Sequence, residues 1–151
     1  MASSPKVPPA DDTRFLGQPV GLATLFTTEM WERFSYYGMR AILVLYLIAP
    51  AADGGLGMST PDAVGIYAVY SSMVWLLAVP GGWLSDRLWG PRKTVLIGAF
   101  IIAAGHYILA VPVDWAIWPG LAAIALGTGL LKPNISAMVG GLYDGDSDEG
   151  E

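Results

Sequence analysis

Four stretches of mostly apolar residues, at positions 20–49, 61–84, 94–111 and 116–139, follow one another with only short connections between them. Each is at least about 18 residues long, enough for an α-helix to cross a bilayer core of ~30 Å. Hydrocarbon offers backbone N–H and C=O groups no partners, so segments of this kind must satisfy them internally, as helices. The expected fold is an all-α membrane protein with four transmembrane helices. Composition agrees, since 54% of the 151 residues are hydrophobic and 14% charged, against roughly 25% charged in soluble domains.

The first stretch breaks its own pattern. Glu29-Met30-Trp31-Glu32-Arg33-Phe34-Ser35-Tyr36-Tyr37-Gly38-Met39-Arg40 sets two carboxylates, two guanidinium groups and two phenols in an apolar run. At about 100° per residue, with Glu29 as zero, Glu32, Arg33, Tyr36, Tyr37 and Arg40 all fall between roughly −60° and about +80°. The opposite face carries Trp31, Phe34, Ser35 and Gly38, which suit lipid or apolar neighbours. Charges at membrane depth cost about 2.5–3.5 kcal/mol each on insertion scales, so they persist where they face a protein interior or an aqueous cavity. A solvated surface helix would carry the same stripe, but three further apolar spans argue against that setting.

Several chemistries are excluded. Without cysteine there is no disulfide and no thiol nucleophile, and a single histidine, His106, lacks the companions of a zinc or haem site. His106 lies between Gly105 and Tyr107 and reads as a packing residue. The eight basic residues never cluster on an exposed face with aromatics, so no nucleic-acid partner is expected. No Ser or Asp pair sits with a base at helical spacing, which argues against an intramembrane hydrolase. No metal or organic cofactor is expected.

The flanks are simpler. Residues 1–14 are rich in Pro, Ser and Ala and are expected to be a disordered tail; residues 143–151 form an acidic tail that looks truncated. Between the spans, Ser59 or Thr60 ahead of Pro61 and Asp62 signals a helix start, and Pro80-Gly81-Gly82 predicts a kink and a close helix crossing. Residues 85–93 are expected to be a polar loop. Lys6, Arg14, Arg87, Arg92 and Lys93 lie on alternate connections, and the positive-inside bias then puts the N-terminus, the loop after the second span and the C-terminal tail in the cytoplasm, with the spans in the plasma (inner) membrane.

Two motifs carry a family resemblance. Gly82-Trp83-Leu84-Ser85-Asp86-Arg87-Leu88-Trp89-Gly90-Pro91-Arg92-Lys93 resembles the loop signature of the major facilitator superfamily between its second and third helices. Asp86 could accept from Arg87 or Arg92 while Gly90 permits the turn, so Gly82, Asp86, Arg87, Gly90 and Arg92 form a candidate conformational latch. The first-helix stretch is similar to the E-x-x-E-R-F-x-Y-Y-G signature of proton-dependent oligopeptide transporters within that superfamily, and Gly127-Thr128-Gly129-Leu130-Leu131-Lys132-Pro133-Asn134 resembles their fourth-helix signature.

That resemblance implies the first four helices of an N-terminal six-helix bundle, with the rest of the site on later helices that this stretch of sequence does not include. It implies proton-coupled symport of di- and tripeptides by alternating access, with protons as the coupling ion, and Glu29, Glu32 and Arg33 in the coupling. Arg40 and Lys132 would present positive charge to the peptide carboxylate, and Tyr36 and Tyr37 would line the pocket. Trp75 stands where family members often have a tyrosine. The general chemistry fits: a low dielectric favours a protonated carboxyl and a nearby cation favours the ionised form, so a Glu with a switchable cationic partner can pick up and release a proton. Beside Lys132, Pro133 is expected to free a carbonyl and open the helix. Transport of another anionic solute such as nitrate or a carboxylate is the next expectation, and a non-transporting fragment that only associates with other membrane helices is a third.

Overall fold

In the computed structural model, which describes residues 15–142, the chain is four long helices joined by short turns. The first, α1 (Val20–Ile48), starts behind Pro19, whose ring fixes φ near the helical value while its ψ of 135° stays extended. It stops where Ala49 turns extended ahead of Pro50, because a proline disfavours helical backbone in the residue before it. The following loop folds back on the helix end. Leu56 N donates to Tyr46 O and Met58 N to Leu47 O, so carbonyls left without intrahelical donors are satisfied.

The second helix, α2 (Thr60–Leu84), begins as the sequence suggests. Ser59 Oγ accepts from Asp62 N at 3.3 Å and donates to Asp62 Oδ2 at 2.6 Å, which is a two-way cap with Pro61 in the first turn. It runs unbroken through Pro80. The polar loop expected at 85–93 is absent. Residues Ser85–Trp89 continue as one π-helical turn, Gly90 reverses direction at a φ of 76°, and Pro91 opens α3 (Pro91–Leu109) at once. A single glycine in the left-handed region makes the whole connection. Thr94, expected to start the third span, lies inside its first turn and donates to Gly90 O at 2.8 Å. A short turn over Asp114–Ala116 leads into α4 (Ile117–Gly140), which continues through Pro133.

The fourth helix is the centre of the bundle. It carries buried residues along nearly its whole length, from Ile117 to Ile135, and packs most extensively against α3 and then α2. Two glycine pairs make that approach possible. A Cβ on Gly127 would meet Gly98 O at 2.6 Å, and a Cβ on Gly81 would collide with the Gly129 carbonyl. Lipid tails are as apolar as leucine, so close backbone approach rather than hydrophobic expulsion holds membrane helices together. Asn134, also buried, donates to Leu130 O at 2.6 Å and reaches Gly81 O at 3.4 Å, which adds a polar tie between α4 and α2. The aliphatic core lies nearby, among Leu43 and Leu47 of α1, Val74 of α2, and Leu121 and Ile124 of α4.

By contrast α1 touches its neighbours lightly and leaves Phe26, Trp31, Phe34, Ile42 and Leu45 exposed. Among the described residues, three segments are long and apolar enough by composition to cross a membrane: Thr60–Trp89, Pro91–Leu109 and Asp114–Gly140. At 29 residues α1 has the length too, but its four charges between positions 29 and 40 set it apart.

Candidate functional site

The polar stripe of α1 faces α2 and α4. Glu29 and Arg33 pair along the helix, with Arg33 Nη2 2.7 Å and Nε 3.1 Å from Glu29 Oε1, the geometry expected of residues four apart. One turn away, Glu32 is half-buried and makes no ion pair among the described residues. The charge of Lys132 nevertheless reaches its carboxylate from α4. Lys132 itself is half-buried, and its Nζ sits 4.4 Å from the centroid of the Trp75 ring on α2.

A second cation repeats the arrangement, since the Arg40 guanidinium lies 5.1 Å from the centroid of the Tyr67 ring, also on α2. Between these two contacts Tyr36 stacks on Tyr70 with ring centroids 6.3 Å apart, and Tyr37 meets Tyr36 edge-on at 5.4 Å. Tyr70 is buried, and its hydroxyl has no hydrogen-bond partner among the described residues. The eight residues assigned from sequence to proton coupling or substrate thus gather on α1, α2 and α4. The structure adds Tyr67 and Tyr70. At helical spacing, positions 67, 70 and 75 share an arc of roughly 140°, a stripe on α2 that answers the one on α1 and could have been read from spacing alone.

The latch residues do not form a linked cluster here. Gly90 takes the positive φ expected of it, and Gly82 packs near Pro133 of α4. Asp86, Arg87 and Arg92 are all exposed, and no ion pair or hydrogen bond joins them among the described residues. Asp86 and Arg87 are sequence neighbours on a helical turn and point about 100° apart, while Arg92 belongs to the next helix. The expectation that Pro133 opens α4 also fails. Pro133 cannot donate to Gly129 O, but Gly81 closes against that carbonyl from α2 and the helix holds.

On the far side of α1 the structure assigns His106 a definite partner. Its Nδ1 lies 2.8 Å from Ile102 O, which can only accept, so Nδ1 carries the proton and Nε2 accepts from Ser35 Oγ at 2.6 Å. His106 therefore ties α3 to α1, as a packing residue would. The pair borders an apolar cleft of about 560 Å³ between α1 and the α3–α4 turn.

Comparison with known proteins adds a second kind of observation. The model of the POT family matches residues 92–151. The di-/tripeptide transporter of Lactococcus lactis subsp. lactis is 52% identical over 135 residues, which cover 87% of this chain and 27% of that protein. The chain belongs to the POT family. The peptide transporter YePEPT of Yersinia enterocolitica, 42% identical over 132 residues, matches 85% of this POT chain and 26% of its own length. Among solved structures, a mutant of the peptide transporter POT in complex with alafosfalin has a TM-score of 0.87 at 48% identity, covering 92% of this chain and 29% of the other. A POT family transporter in complex with 5-aminolevulinic acid has a TM-score of 0.85 at 42% identity, covering 87% and 27%. This POT chain spans about a quarter of the length of the curated relatives it matches. Its four helices are transmembrane helices of a major facilitator fold.

Proposed function

We propose that this chain forms one wall of a proton-coupled pathway for di- and tripeptides in the plasma membrane, with its N-terminus in the cytoplasm. The observation that carries the reading is the seating of two cations, Lys132 and Arg40, on the Trp75 and Tyr67 rings of α2, with the half-buried Glu32 left without an ion pair among the described residues on the same stripe of α1 as Arg40. Short peptides share a carboxylate, an amine and a backbone but differ in side chains. A site that serves many of them grips the charged ends with Arg, Lys and Tyr and leaves the remainder roomy.

In this scheme Lys132 and Arg40 attract the peptide carboxylate, and Tyr36 and Tyr37 donate to its backbone. Glu32, with Glu29 and Arg33, takes up the coupling proton, because a carboxylate held at membrane depth is readily neutralised by one. Later helices of the full-length protein supply the opposite wall. Asp86, Arg87 and Arg92 remain candidates for a latch whose partner is on those helices. The names of the relatives support peptides over nitrate as the substrate, since they are called di-/tripeptide and peptide transporters.

The test is uptake of a labelled dipeptide by the full-length protein in liposomes under an inward proton gradient. Glu32→Gln is expected to abolish accumulation against the gradient, and Lys132→Ala to raise the peptide KM at least about tenfold, the loss of one charge-assisted bond. Accumulation unchanged in both variants would remove the assigned roles, and no uptake of any peptide by the unaltered protein would remove the substrate.

A further inference from the structure

A lysine ammonium among carboxylates normally finds one of them. Lys132 does not: among the described residues it makes no ion pair, and its Nζ rests 4.4 Å from the Trp75 ring centroid instead. Glu32 is near enough to feel its charge and is itself without an ion pair. The competing groups are accounted for. On α1, Glu29 and Arg33 are bound to each other; on α2, Tyr67 lies under Arg40 and Tyr70 stacks on Tyr36; on α3, His106 is engaged with Ser35 and Ile102. Nothing on α4 other than Lys132 is charged.

We propose that Trp75 is a positioning residue that holds the Lys132 ammonium on its indole face and keeps it from closing onto Glu32. Indole is the strongest of the aromatic faces for a cation. An ammonium seated there still has N–H groups directed away from the ring, and these remain available to a carboxylate arriving in the pathway. Without the ring, Lys132 is free to swing onto Glu32. The carboxylate is then neutralised by a fixed internal cation, and a proton has no reason to be taken up. Trp75 thus keeps two opposite charges apart until substrate and proton claim them. For its transport consequence the inference rests on the peptide-symport reading; the pairing itself does not.

Two measurements on the full-length protein decide the matter. In detergent, an ammonium on an indole face quenches its emission, so Lys132→Met is expected to raise tryptophan fluorescence and to leave it unchanged in a Trp75→Phe background. An equal rise in both backgrounds overturns the pairing. In liposomes, Trp75→Leu is expected to lower the ratio of proton-driven accumulation to peptide exchange by about 2- to 30-fold, the span of cation–π strengths from exposed to desolvated sites. Trp75→Phe, which keeps an aromatic face, is expected to recover most of that ratio. A wild-type ratio in Trp75→Leu, or an equal fall in the Leu and Phe variants, overturns the positioning role. If the unaltered protein moves no peptide yet Lys132→Met shows the Trp75-dependent rise, the pairing stands and the substrate reading falls.

Discussion

Glu29 and Glu32 lie three residues apart and have different prospects. Glu29 is committed to Arg33 on an exposed helix surface, where pairs at this spacing contribute about 0.3–0.5 kcal/mol. Glu29→Gln is therefore expected to shift unfolding in detergent by no more than about 0.5 kcal/mol, so any large loss of uptake in that variant reports coupling and not folding. Tyr70 offers the converse case. Its buried hydroxyl makes no hydrogen bond among the described residues, and removing a buried polar group that lacks a partner costs nothing in lost bonds. Thermal unfolding of Tyr70→Phe is expected to match the parent or exceed it by up to about 1 kcal/mol; a clear loss would mean that the hydroxyl has a partner. These residues also mark what the sequence could tell. Charges stand out in an apolar run, so the α1 stripe was legible. Tyr67 and Tyr70 carried a weaker signal: their spacing with Trp75 marks one stripe on α2, but an aromatic residue in an apolar helix looks the same whether it packs in a core or lines a path. The ring over which Lys132 would rest could not be deduced at all, since it depends on how α2 and α4 are set against each other.

At the scale of helices, proline and glycine were read correctly as punctuation and incompletely as structure. Ser59 with Asp62 capped α2 as expected, and the close crossing foreseen at Gly81 is present. The loop expected over 85–93 proved helical because polar side chains at a membrane surface need no loop to reach water, and one glycine at φ 76° suffices to turn the chain. The opening expected at Pro133 did not appear, since the helix continues through it and Gly81 of α2 closes against the Gly129 carbonyl that the proline leaves without a donor. The glycine pairs give the sharpest prediction here. A Cβ on Gly129 would lie 2.6 Å from Leu77 Cβ and 2.9 Å from Leu77 O. Overpacking of this kind costs about 1–3 kcal/mol or more, so Gly129→Val is expected to lower the unfolding midpoint by several degrees, whereas Gly140→Ala, which meets nothing within 4 Å, leaves it in place.

For the molecule as a whole, packing is uneven: α2, α3 and α4 form a tight block, and α1 leans on it through Leu43, Leu47, the tyrosine stack and the Ser35–His106 bond. Hydrogen exchange on this chain in micelles is expected to be fastest in the first half of α1 and slowest in α4, and uniform protection across all four helices would contradict the contrast in packing. The uneven packing of α1 could not be seen in the sequence, because its apolar face is as rich as those of the other helices. What distinguishes it is how much of that face has a neighbour.

The seam of glycines along α4 bears on how such a protein can change over evolutionary time. Positions 127 and 129 have no room for any side chain, so the helix that carries Lys132 is a fixed part, with little freedom to drift. New substrate preferences must then arise on α1 and α2, whose site residues, the buried Tyr70 apart, stand on exposed or half-buried ground. A library randomised at positions 67, 75, 127 and 129 together is expected to return glycine at the last two in every functional clone, with variation confined to the first two.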